Sequence, residues 1–373
     1  MLTSFDDYPI HQSPEPIALP VEADRNFYDR YFFNGYTRDG ELFFAAAMGL
    51  YPNRSVLDAA FSVVRGGVQT EVHASRRAPA DRRDTRCGPI RVEVLEPLHR
   101  LRVTVGDNDA GLRAELEFTS RIPVLEEPRF LRRSGTRRVM DYTRLTQTGT
   151  WSGWLEVDGE RLELDPGQVL ATRDRSWGLR PVGEREQGAP GGEPQFFWLW
   201  APINFEDRAV LFDANEEADG TRWHHNGQVV PVTSPDAPPM PGMGVEQATA
   251  VDHAITWREG TRWAERATLT LELPSTGRLD LQLEPLTTFH MRGIGYFHPE
   301  FAHGVWKGEE AVGVDRIELA DLDPLALENF HIQQVCRVTD GEREGTGTFE
   351  QLVIGRHHPS GLSGLLDGAP PRG

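Results

Sequence analysis

This 373-residue sequence is short of several things that would place it quickly. It has two cysteines, Cys87 and Cys336, far apart in the chain. That is too few for a disulfide-built scaffold, and two free thiols in a reducing compartment is the simpler reading. No apolar run approaches twenty residues, and the start lacks a basic-then-apolar leader, so a soluble, cytoplasmic protein is expected. Positive charge is scarce: 39 Lys and Arg face 57 Asp and Glu, a formal net charge of −18. That excludes a nucleic-acid backbone or an anionic membrane surface as the main partner. Helical periodicity is nearly absent, with a turn or two around ADLDPLALENF as the best candidate. No P-loop, GxSxG elbow, CxxC or HExxH occurs, and GTGTF and GIGYF do not sit between a strand and a helix as a dinucleotide fingerprint must. No short-period repeat points to a solenoid or propeller.

What the chain does have is short strands broken by turn residues. RYFFNGYT and ELFFAAAMGLY flank Asp39-Gly40, and SVLDAAFSVV and VQTEVHAS flank Gly66-Gly67. IRVEVLE, LRVTVG, LRAELEFTS and TWSGWLEV follow. The second half repeats the plan from FFWLWAPI to TGTFEQLVIG. Strands joined by two to five residues pair antiparallel, because parallel pairs need long crossovers. An all-β protein of barrels or sandwiches is expected. The divisions expected are an N-terminal arm (1–24), a first β-domain (25–180), a Gly/Pro/Glu-rich linker or loop (181–195) and a second β-domain (196–373). A second loop, VTSPDAPPMPGMG, could cap a cavity mouth.

Two segments carry the candidate chemistry. In RDRSWGLRP, strand alternation puts Arg173, Arg175 and Trp177 on one face and Asp174 and Ser176 on the other. Asp174 must then find partners elsewhere in the fold. Buried without a cation its carboxyl would be raised and partly protonated; wrapped by arginine it would be a fixed anion. A salt-bridged structural strand is the plainer alternative. The second segment is GIGYFHPEFAHGVWKGE, where Tyr296, His298, His303 and Trp306 fall within eleven residues. His331 and Gln333 share a strand face in FHIQQV, with Gln334 opposite, and Glu350 and Gln351 lie in the last strand. Polar residues interrupting apolar strands suggest a buried network or a cavity lining; backbone-satisfying loop corners are the bland reading. His298, His303, His331 and Glu350 are metal-ligand types, but HPEFAH is no recognised spacing, so no metal is expected. Trp198 and Trp200 alternate on one face with Phe196, as core or as an aromatic wall.

These strand-rich halves, the RDRSWG segment, GIGYFHPEFAHGVWKGE and FEQLVIG resemble the hydroxyneurosporene synthase (carotenoid 1,2-hydratase) and AttH-like superfamily, from about Tyr31 to Pro359. The resemblance implies two tandem lipocalin-like antiparallel β-barrel domains with an apolar pocket near their junction, and cofactor-free chemistry such as adding water to an alkene. Asp174 matches the acidic position of the RDRSWG-like motif. Three functions compete. The first is a cofactor-independent hydratase, dehydratase or isomerase of a terpenoid-like or aromatic alkene or alcohol. Its catalytic residues would be Asp174, Tyr296, His298 and His303. Arg173, Trp177, Trp198, Trp200, Trp306, His331, Gln333 and Glu350 would hold the substrate, and aromatic faces such as Trp177 would shield a carbocation. The second is a carrier of a small hydrophobic molecule without chemistry. The third is a pericyclase-like guide of cyclisation.

Overall fold

A computed structural model describes residues 1–184, 192–233 and 241–371. The expected linker and the loop VTSPDAPPMPGMG therefore fall partly outside the described residues. The chain is nearly all β, in two curled antiparallel sheets of fourteen and nine strands. The expected two lipocalin-like barrels are the architecture found.

Adjacency in sequence dominates the first sheet. Leu42–Tyr51, Val56–Arg65 and Val68–Arg77 follow Phe27–Thr37 as a meander. On its other side Phe27–Thr37 pairs with Val169–Leu179, which pairs with Arg137–Val157. Hairpins need only the turns quoted above: Gly40 (φ 75°), Gly66 (φ 58°) and Gly67 (φ 80°) adopt left-handed conformations there. In the second sheet Phe196–Asn204 pairs with both Arg208–Glu216 and Glu344–Ile354. No helix among the described residues is long and apolar enough to cross a membrane. Cys87 and Cys336 are both free and buried.

One element departs from the simple division into halves. Glu310–Glu318 pairs along its whole length with Val68–Arg77 and forms an edge of the first sheet. The preceding segment, residues 291–309, therefore crosses from the second sheet to the first. It is pinned on the way: Ser62 Oγ donates to Gly293 O (2.5 Å), and Gln69 bonds both the N–H and C=O of His290 (2.9 and 2.8 Å).

Each barrel has its own apolar core, and a third apolar layer lies between the sheets. Strand Phe27–Thr37 shows why its sequence does not alternate cleanly. Phe33 faces the first barrel's interior, while Phe32 and Tyr36 face the inter-sheet layer, so both of its sides are buried. Trp151 anchors the first core. It is fully buried, donates its indole N–H to Asn34 O (2.7 Å), and meets Phe33, Phe44 and Phe118 with ring centroids 5.6–5.8 Å apart. Replacing it with phenylalanine removes a buried donor and leaves a void. A loss of about 1–3 kcal/mol is expected, read as a lower urea midpoint at unchanged m-value.

Candidate active site

At one end of the inter-sheet layer lies a cavity of about 360 Å³. Its walls follow from strand parity. In the first sheet Arg30 pairs with Ser176, Phe32 with Asp174 and Thr146 with Asp174, so even-numbered residues of three neighbouring strands share one face. Tyr28 and Arg30, Asp174 and Ser176, and Tyr142 and Arg144 reach the cavity from that face. The second sheet contributes Phe196 and Trp198, Glu350 and Leu352, and the adjoining His331. The crossing segment roofs the space with Tyr296, Phe297 and His303, and Arg180 enters from the end of its strand. Gly295 makes the roof turn: its φ is 94°, and a Cβ there would stand 2.7 Å from the His303 ring.

Asp174 is half-buried, and no hydrogen bond to its carboxyl occurs among the described residues. It lies deep enough that burial pushes its carboxyl up to about 6, against the pull of Arg144 and Arg30 and with help from Glu127 and Glu350. Arg144 does not bind it directly. That guanidinium pairs with Glu127 (Nε to Oε2, 2.8 Å) and stacks 4.8 Å from the Trp198 ring.

Glu350 is the opposite case. Burial would raise it, but the charge His331 carries when protonated, hydrogen bonds from His331 and Trp198, and the charge of Arg144 outweigh that and hold it below the usual range. His331 Nε2 lies 2.8 Å from Glu350 Oε1, Trp198 Nε1 donates to the same oxygen (3.0 Å), and Gln333 Nε2 donates to Oε2 (3.0 Å). In the neutral imidazole this puts the ring proton on Nε2 and leaves Nδ1 a lone pair; that buried Nδ1 has no hydrogen-bond partner among the described residues.

Tyr296 hydroxyl accepts from two guanidiniums, Arg30 (2.8 Å) and Arg180 (2.9 Å), and its ring meets those of His303 and His331 edge-on at 4.4 and 4.3 Å. His303 is held by Ile294 O at Nε2 (2.7 Å) and Arg180 at Nδ1 (3.3 Å). Burial, then Arg30 and Arg180, keep it well below the ordinary imidazole value and hence neutral. It orients Arg180 and the roof.

Of the residues singled out from sequence, Asp174, Tyr296, His303, Trp198, His331 and Glu350 converge on this cavity. The others do not line it. The alternation that sends Asp174 inward sends Arg173 and Trp177 away: Arg173 bonds Gln147 and sits 5.6 Å from the Phe118 ring, while Trp177 is 40% exposed. Trp200 lies behind the wall with its N–H toward Glu127 (3.4 Å), Gln333 braces Glu350 from below, and Trp306 lies outside under Arg77 (4.9 Å). Arg30, Arg144 and Arg180 were missed. Arg30 shares parity with Phe32 and Tyr36, and an arginine in phase with a buried aromatic stripe was the available signal.

His298 belongs to a different cluster, where ligand atoms of Glu71, His73, His298 and Asp315 lie within 4.8 Å. The protons there argue against a metal. His298 Nδ1 accepts the backbone N–H groups of Glu300 (3.1 Å) and Phe301 (2.9 Å), so Nε2 must carry the ring proton toward Asp315 (2.8 Å). A cation at Nε2 would displace a proton that Nδ1 cannot take. Arg292, 3.8 and 3.7 Å from Glu71 and Asp315, already supplies positive charge. The cluster fastens the roof segment to the first sheet.

No curated protein matches the chain in sequence. Among solved structures, a candidate AttH of Nitrosomonas europaea aligns with a TM-score of 0.52 at 16% identity, over 92% of this chain and 98% of that one. Kievitone hydratase of Nectria haematococca aligns with a TM-score of 0.50 at 12% identity, over 87% and 88%. The fold is thus AttH-like, as the resemblance implied. A family model spans residues 2–363, and the chain belongs to that family, one of unknown function (DUF8625).

Proposed function

We propose that the protein is a cofactor-independent lyase or isomerase of the hydratase–dehydratase type, acting on a small, largely apolar molecule in this cavity. One observation carries the reading: an acid raised to about 6, Asp174, and an imidazole–carboxylate pair, His331 on Glu350, line the same cavity. A carboxylic acid and a carboxylate-bound imidazole in one cavity are the group types that serve as donor and acceptor in general acid–base catalysis. Asp174 delivers a proton to one end of the ligand, and His331 Nδ1 removes one from the other or from a water. Trp198, Phe196, Tyr28 and Tyr142 supply the apolar walls. The name of the similarly folded kievitone hydratase agrees with adding or removing water.

The test is proton exchange. The purified protein is incubated in D₂O with a panel of alkenes and alcohols, and the recovered molecules are weighed by mass spectrometry. Deuterium uptake, or a gain or loss of water, is the expected result for at least one compound class. Ligands bound but recovered unlabelled would make the protein a carrier.

A further inference from the structure

Two cations in this cavity have no carboxylate in contact among the described residues. Arg30 is 3% exposed and Arg180 is half-buried, yet among the described residues no carboxylate lies within 4 Å of either guanidinium. Buried charge is ordinarily paired. Their partners are neutral: Tyr296 Oη for both, Ile294 O for Arg30 (3.2 Å), and His303 Nδ1 for Arg180. The Nε–H of each is buried without an acceptor among the described residues. Asp58 interacts with both Arg30 and Arg180, and Asp174 with Arg30, but only across a gap, and Asp58 is engaged by Gly304 N–H (2.7 Å). Arg144, the third cavity arginine, is neutralised by Glu127. Tyr296 Oη accepts from both guanidiniums, and its own O–H has no acceptor among the described residues.

We propose that Arg30, Arg180 and Tyr296 form an oxyanion site, so that the ligand's reacting carbon is conjugated to a carbonyl or phenol oxygen. This rests on the lyase reading and narrows it. Two unpaired guanidiniums repel positive charge developing on a ligand carbon and attract negative charge developing on its oxygen. An isolated alkene protonated to a carbocation, the chemistry first expected, is therefore disfavoured. In the dehydration of a β-hydroxy ketone, His331 Nδ1 takes the α-proton as the C–H bond breaks. The electron pair moves onto the carbonyl oxygen, held as an enolate by Arg30, Arg180 and Tyr296. The enolate then collapses to form C=C, and the C–O bond breaks as the leaving hydroxyl takes the proton of Asp174 and departs as water. Hydration of an enone is the same path reversed.

The test reads charge selection at equilibrium. 4-Nitrophenol is titrated spectrophotometrically while bound to the wild-type protein and to Asp174→Asn, which removes an acid titrating in the same range. In both, the bound phenol is expected to ionise at least one pH unit below the free compound, a tenfold preference for phenolate. Arg180→Met and Arg30→Met lose that preference, and Arg180→Lys, which keeps the charge, retains part of it should the methionine variants misfold. A bound phenol that ionises at or above its free midpoint, or no binding at millimolar concentration, overturns the oxyanion site. The lyase reading fails separately: phenolate selection without deuterium uptake from any ligand leaves the oxyanion site standing and removes the chemistry.

Discussion

Asp174→Asn is expected to lower turnover by about 10²–10⁴-fold while leaving the fold at least as stable as the wild type. The range is what a positioned general acid contributes to proton transfer. Asparagine preserves the shape of the side chain but has no acidic proton to give. The stability half follows from the direction of the shift. The folded carboxyl, at about 6, lies above its ordinary 3.8, so the folded state holds more protons than the unfolded chain between those values. This group therefore favours folding below the window and opposes it as pH rises through about 6. At neutral pH its charge is a burden that asparagine removes. A variant that loses activity but keeps or gains melting temperature is the signature of a strained functional group. A structural salt-bridge residue would show the opposite. The same titration fixes the pH dependence in the wild type: kcat/KM should fall as pH rises through about 6, where the donor loses its proton.

The second large effect falls on the base. His331→Asn removes the lone pair at Nδ1 and should again cost about 10²–10⁴-fold in turnover. Glu350→Gln is subtler. Its amide oxygen can still accept from Trp198 and His331, but the negative charge that would balance a protonated His331 is gone, and the new NH2 faces the Gln333 Nε2 donor. The imidazolium formed when His331 takes a proton then has no counter-ion. Activity should fall almost as far as in His331→Asn, with ligand affinity little changed, and the double variant should be no worse than the poorer single one, because the pair acts as a unit. Additive losses would show that the two residues work separately.

Much of the architecture was legible because strands and tight turns have short-range signatures. Asp39-Gly40 and Gly66-Gly67 announce hairpins, and strand parity alone separates Asp174 from Arg173 and Trp177. The site was less legible, since it is assembled from both sheets and the segment between them. Nothing local says that EAVGVDRIE leaves the second half of the chain to pair with VQTEVHASRR, yet that crossing sets the roof. His298 and His303 look alike in HPEFAH, but one is turned toward Asp315 and the other toward Arg180. The arginines escaped notice for another reason: an acidic chain holds 39 basic residues, and which of them lack a carboxylate is a property of packing alone.

The protonation state of Asp174 is the measurement on which the account turns. Carboxyl ¹³C shifts of aspartate-labelled protein, assigned by difference with Asp174→Asn, should show one aspartate of the cavity titrating near pH 6. A midpoint at about 4, the value of an exposed aspartate, would mean that the carboxyl is already an anion at pH 6, with no proton to donate there.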